Sequence, residues 1–200
     1  AIENKITKKR TVLDGKNAKF RCFSAIQESQ YDDTYKQRKH NFDSILAIRN
    51  DVEKITSLIM DSLPKNADYI RVHVGGDFVT SEYMLAWFNV ARMNPTIKFY
   101  AYTKAIGWMQ NNEDMRPKNF RMIASYGSKE DHLITKDTIS ANVVFHPSET
   151  KLPIDHNEYY AINDKGSFSL LLHGTQKQGS AGSKALSRMN KEGIKYSYSR

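Results

Sequence analysis

Apolar positions recur along this chain with two different periods. Between residues 18 and 24, Ala-Lys-Phe-Arg-Cys-Phe-Ser alternates apolar and polar side chains over most of its length, which predicts a strand. From about Thr34 to Leu63 the spacing lengthens. Ile45, Ile48, Val52, Ile55, Ile59 and Leu63 follow steps of three and four, placing them on one face of a single long helix. Pro64 stops that helix, because proline has no N–H with which to continue the ladder. Tyr69–Val74 is β-branched and aromatic and predicts a strand. Thr80 or Ser81 then caps a helix striped by Met84, Trp87, Phe88 and Ala91, with Glu82 in its first turn. Asn94-Pro95 ends it, and Ile97–Tyr102 predicts the next strand.

Beyond Lys104 the pattern predicts a short helix to about Asn111, then strands at Arg121–Ser125 and Asn142–Phe145. Tyr159–Ile162 and Ser167–Leu172 flank Asn163-Asp-Lys-Gly166, a turn sequence that predicts an antiparallel hairpin. Alternating strands and helices predict an α/β fold with a mainly parallel sheet. We read it as a partial (β/α) barrel forming one domain over residues 18–173. The 1–17 arm and the 174–200 tail flank it; within the tail, Ser183–Met189 predicts a short helix in an otherwise mobile segment.

Composition supports a core and limits the class. Forty per cent of residues are hydrophobic, including 9 Phe and 11 Tyr, so wholesale disorder is not expected. No apolar run reaches the roughly 18 residues needed to span a bilayer, and no signal-peptide pattern opens the chain. Cys22 is the single cysteine, which rules out an internal disulfide framework and suits a reducing compartment. A cytoplasmic protein is the expectation.

Charge changes the picture once it is divided. Residues 1–21 carry a net +5 and residues 174–200 another +5, against +8 for the whole chain, so the body is nearly neutral. Two basic arms around a neutral body suit phosphate-rich partners, DNA or RNA first. Lys8, Lys9 and Arg10 in one arm, and Lys177, Lys184 and Arg188 in the other, are the candidate phosphate contacts. Small residues interleaved with lysines in the tail suit backbone wrapping, and Tyr196 and Tyr198 could stack on bases. Solvated arms with incidental charge are the plain alternative.

The strand exits form a second pattern. Ser24, Gly75-Gly76-Asp77, Thr103-Lys104, Ser125-Tyr126-Gly127, His146 and His173-Gly174-Thr175 each follow a predicted strand. Ligands of parallel α/β sheets bind at carboxyl ends. The candidate pocket is therefore His73, Gly75, Gly76, Asp77, Lys104, Ser125, His146 and His173. Two glycines let a ligand approach main-chain N–H groups, and Asp77 could accept from an amine or hydroxyl; a tight turn with an Asx bond explains the same residues. If Val72 and Val74 pack under helices, His73 faces the barrel interior with Arg71. Phosphate-loop and dinucleotide fingerprints are absent, as are His-x-x-x-His, Cys-x-x-Cys and Gly-x-Ser-x-Gly spacings. No metal site is predicted, and no catalytic residue is assigned.

The run Arg71-Val-His-Val-Gly-Gly-Asp-Phe, with Ser81-Glu-Tyr-Met-Leu-Ala-Trp and Phe99-Tyr-Ala-Tyr-Thr-Lys104, resembles a bacteriophage family known as gene product 88. His173-Gly-Thr-Gln matches it more loosely. The resemblance implies a phage or prophage origin and hence the host cytoplasm, without an activity. More distantly, Gly75-Gly76-Asp77 is similar to the Gly-Gly-Glu-like motif after the second strand of radical S-adenosylmethionine enzymes. The cluster cysteines of that barrel would fall on Cys22, Ile26 and Ser29, and one thiolate cannot hold a [4Fe–4S] cluster. The resemblance thus implies at most a cluster-less relative retaining S-adenosylmethionine or nucleotide binding. The leading expectation is a phage-type nucleic-acid-interacting protein. A cluster-less S-adenosylmethionine- or nucleotide-binding enzyme and a protein whose basic arms bind an acidic host factor are the alternatives.

Overall fold

In the computed structural model, residues 1–15, 18–163 and 165–194 are described. The elements run β1 (Ile2–Glu3), β2 (Arg10–Thr11), α1 (Phe23–Gln30), α2 (Asp32–Ala47), α3 (Val52–Ser62), β3 (Tyr69–Val72), α4 (Ser81–Met93), β4 (Lys98–Thr103), α5 (Ile106–Asn111), β5 (Phe120–Ser125), β6 (Ser140–Val144), α6 (Tyr159–Ile162), β7 (Phe168–Leu171) and α7 (Ala181–Lys191). β1 and β2 pair antiparallel. The other strands form one sheet in the order β3-β4-β5-β6-β7. The β3–β4, β4–β5 and β5–β6 pairs are parallel. The sheet is open, with β3 and β7 as its edges, as a partial barrel requires. This is the α/β, mainly parallel class that the sequence predicts.

The chain divides into two units, with boundaries inside α2 and β6. In the unit of residues 41–142 and 158–167, register brings Val72 beside Ala101, Phe99 beside Phe120 and Ala101 beside Met122. These side chains share one face of the sheet and pack with Met84, Phe88 and Ala91 of α4 and Ile55 and Ile59 of α3. Phe120 meets Phe88 edge-on at 5.1 Å and stacks on Phe99 at 5.9 Å. Thr80 caps α4 by accepting from the Tyr83 N–H at 3.1 Å. The Asn119 side-chain amide donates to the carbonyls of Ala91, Asn94 and Ile97 at 2.9, 3.1 and 2.9 Å. One side chain thereby joins the end of α4 to the entrances of β4 and β5.

In the unit of residues 1–40, 143–157 and 168–200, Val144, Leu171, Leu172 and Met189 form a core with Phe20, Phe145, Ala185 and Leu186 around it. The tail is therefore not an extended arm as far as residue 194: α7 packs through its apolar stripe. Gly182 permits that approach, because a Cβ there would lie 3.1 Å from Gln176 and 3.2 Å from Leu172. Arg10 fastens the N-terminal segment. It donates to Asp32 and to the Glu28 carbonyl, each at 2.7 Å, and lies 4.7 Å over the Tyr35 ring.

Three expected elements differ. Residues 18–24 form no strand: the chain enters α1 at Phe23, and Phe20 turns against Phe145 at 6.2 Å. The single helix of residues 34–63 is two, because Asp51 accepts from the Lys54 N–H at 3.0 Å and starts α3 afresh. Its apolar face survives the break. The antiparallel hairpin of residues 159–172 does not form: Tyr159–Ile162 is α6, and Ser169 bridges Ile154 in parallel. Asp164 of the expected turn lies outside the described residues, as do Lys16, Tyr196 and Tyr198. Among the described residues, no helix is long and apolar enough to cross a membrane.

Phe120→Ala should cost about 3–5 kcal/mol of stability, since a fully buried ring with two aromatic neighbours leaves a cavity. Urea denaturation monitored by circular dichroism measures it.

Candidate functional site

β3 stops at Val72 because the next residue reverses its backbone. His73 has φ 65°, in the left-handed region that a non-glycine residue seldom adopts. Gly76, at φ 97°, needs the same freedom, although a Cβ there would meet nothing within 4 Å. The loop so formed turns the Asp77 carboxylate inward. Its Oδ1 accepts from the Phe78 N–H at 2.8 Å and the Thr103 hydroxyl at 2.7 Å, and its Oδ2 accepts from the Lys104 N–H at 2.6 Å. Burial pushes the Asp77 pKa up; these hydrogen bonds and the Lys104 charge offset that only in part.

The lacing continues to the next strand. The Lys104 ammonium donates to the Ser125 carbonyl at 3.2 Å and to the Tyr126 carbonyl. Gly127, at φ 95°, leaves room for it: a Cβ there would sit 3.2 Å from Lys104 Nζ. The Gly127 and Ser128 N–H groups then donate to Asp131 at 2.9 and 2.8 Å. Burial works to raise the Asp131 pKa, but those N–H groups, the Ser128 hydroxyl and the Lys104 charge together hold it low. Asp77, Lys104 and Ser125 are thus brought together at the exits of β3, β4 and β5. Asp77 and Lys104 spend much of their hydrogen-bonding capacity on the main chain.

His73 does not share a face with Arg71, contrary to the expectation from alternation. Its positive φ swings the ring to the helix side, 4.8 Å from Phe78, where Nε2 lies 3.1 Å from the Tyr83 hydroxyl. Nδ1 is buried and has no hydrogen-bond partner among the described residues. Burial, reinforced by the Arg71 charge, lowers the pKa to about 4. Arg71 occupies the opposite face. It pairs with Glu158, donates to the His73 carbonyl at 3.3 Å and lies 4.9 Å over the Tyr102 ring, while the Tyr100 hydroxyl donates to the other Glu158 oxygen. Sequence reasoning missed Glu158. The alternation of Arg71, Tyr100 and Tyr102 along adjacent strands was its readable half.

His146 and His173 belong to the other unit. His146 has Ser148 Oγ and Glu192 Oε2 each at 2.7 Å. His173 packs 5.1 Å from Phe23, with Nδ1 at 3.2 Å from the Leu171 carbonyl. Among the candidate phosphate contacts, Lys8 and Lys9 are exposed, Lys8 lying 3.8 Å from Glu3. Arg10 is committed to the staple described above. On α7, Lys184, Arg188 and Lys191 border an open groove of about 640 Å3 with Ser183, Ser187 and Gln178. Arg188 donates to Glu192 at 2.8 Å. Lys177 is exposed just before α7. No cluster of three or more His, Cys, Asp or Glu able to hold a metal occurs among the described residues.

The family model described as Gene product 88 matches residues 10–191. That is most of the chain, and the chain belongs to this phage-protein family. No curated protein and no solved structure matches it significantly. The match extends well beyond the Tyr69–Lys104 run that suggested the family. The likeness of Gly75-Gly76-Asp77 to radical S-adenosylmethionine enzymes gains no support.

Two outcomes test the strand-exit geometry. Asp77→Ala, which strands the Thr103 hydroxyl and the Lys104 N–H, should destabilise the chain by about 2–4 kcal/mol in urea titrations. His73 titrates near 6.5 when unfolded and at about 4 when folded. The unfolded state therefore binds the extra proton first. Its contribution is full above pH 6.5 and is lost as pH falls toward 4, by up to about 3 kcal/mol. His73→Asn, which tolerates the positive φ, should flatten that part of the stability–pH curve.

Proposed function

We propose that this Gene product 88 family member is a nucleic-acid-interacting protein whose phosphate contacts come chiefly from the exposed face of α7. The observation that carries this reading is the segregation of α7. Ala185, Leu186 and Met189 pack inward while Lys184, Arg188 and Lys191 stand in the open groove. Steps of four and three residues keep the three cations on one side of the helix. Exposed lysine and arginine beside serine hydroxyls suit phosphate oxygens. Lys177 extends the row, and Lys8 and Lys9 add charge from the N-terminal segment; Arg10 does not, being bound to Asp32 and Glu28. A nucleotide or base at the exits of β3–β5 is the second part of the reading. There it would meet the Gly75-Gly76 backbone and the exposed Tyr126 rather than Asp77 or Lys104. The host cytoplasm is the proposed place of action.

Fluorescence anisotropy with single- and double-stranded DNA and RNA, across 50–200 mM salt, tests it. Affinity should fall steeply with salt. Lys184→Glu with Lys191→Glu should weaken binding about tenfold or more and flatten the salt slope by roughly 1–2, about one unit per lost phosphate contact. Binding that the double variant leaves unchanged would remove α7 from the interface. If nucleic acid does not bind but an acidic host protein is retained after nuclease treatment, the same face serves a protein partner instead.

A further inference from the structure

A cavity of about 900 Å3 opens at the amino ends of β4 and β5, away from the laced exits. Its volume falls in the range of small-molecule sites. The lining is mixed: Met109 and Ile162 contribute apolar surface among polar and charged side chains. Lys98, Lys118 and Arg121 are its basic residues besides Arg116. Phe99 aligns with Phe120 and donates its N–H to the Asn119 carbonyl at 2.8 Å, so Lys98 opens β4 while Lys118 sits in the turn that leads into β5, and both line the cavity. Both are exposed, and neither makes an ion pair among the described residues. Of the lining carboxylates, Glu113 is held by Arg116 in a three-bond fork, which leaves Asp137 against the lysines.

We infer that this cavity binds a phosphomonoester carrying a flat or apolar body, of the nucleoside monophosphate kind. Lysine ammonium groups act as point charges toward phosphate. A dianionic phosphate is drawn to Lys98 and Lys118, and its body covers the accessible apolar part of the lining. The phosphate supplies the electrostatic attraction and the body the hydrophobic part, so neither fragment alone should bind as well. This site does not depend on the α7 reading: all of its residues lie in the unit that lacks α7.

Calorimetric titration of the full chain with AMP, adenosine and inorganic phosphate tests the inference. AMP should bind saturably, with adenosine and phosphate each at least tenfold weaker. Lys98→Glu and Lys118→Glu, both exposed and both checked for native circular dichroism, should each weaken AMP at least tenfold. Lys184→Glu with Lys191→Glu should leave AMP binding unchanged, so that failure of one reading is separable from failure of the other. The inference is overturned by folded protein that gives no saturable AMP binding. It is equally overturned if both cavity variants bind AMP within twofold of the parent, or if the α7 variant abolishes AMP binding.

Discussion

Everything at the carboxyl ends of β3–β5 depends on one half-buried carboxylate, that of Asp77. An ionised aspartate removed from water without partners is among the most expensive groups a protein can hold. Two N–H groups, one hydroxyl and the Lys104 charge offset part of that cost for Asp77. The donors come from two places: its own loop and the last turn of β4. Gly75-Gly76-Asp77-Phe78 and Thr103-Lys104 therefore work as one device, although 26 residues separate Asp77 from Thr103. The left-handed His73 and Gly76 are what aim the carboxylate. Backbone strain at His73 and electrostatic relief at Asp77 are two sides of the same turn, in which Gly76 adopts its positive φ freely.

The same turn separates two environments around β3. Val72 joins the apolar layer beneath α3 and α4, whereas Arg71 joins Glu158, Tyr100 and Tyr102 on the other face. An arginine–glutamate pair away from bulk water stabilises little unless the remaining donors and acceptors are satisfied. Here the guanidinium also reaches the His73 carbonyl, and the second carboxylate oxygen accepts from a tyrosine. Glu158 holds its place in a left-handed conformation immediately before α6. Two of the non-glycine residues with positive φ thus converge on Arg71.

Local pattern made much of the fold legible. The runs at residues 69–72 and 98–103 are rich in β-branched or aromatic residues, the run at 120–125 is largely apolar, and α4 carries both its stripe and its cap in plain view. The errors share a cause: short patterns that two structures satisfy equally. Ala18–Ser24 alternates, but Phe23 and Ile26 also fit one turn of α1. Between α2 and α3 no proline or glycine marks the break, yet Asn50-Asp51 is a capping signal inside an unbroken apolar face. Tyr159–Ile162 is too short for period to decide. At the site, Gly75, Gly76, Asp77 and Lys104 were readable as a turn and a strand exit. Glu158 and Asn119 were not, since their partners lie far away in sequence and only the fold brings them together. The parity of His73 was hidden for a simpler reason: alternation assumes that the strand continues.

Asn119 carries a consequence for motion. Its single amide serves carbonyls at the end of α4 and at the approach to β4, while its own carbonyl accepts from the Phe99 N–H. Neither the last turn of α4 nor the first residues of β4 and β5 can fray without breaking bonds that belong to the others. Three chain ends that would ordinarily breathe independently are joined into one local opening unit. Their amide protons should therefore exchange with solvent through a shared event, with similar opening free energies, despite lying in three different elements.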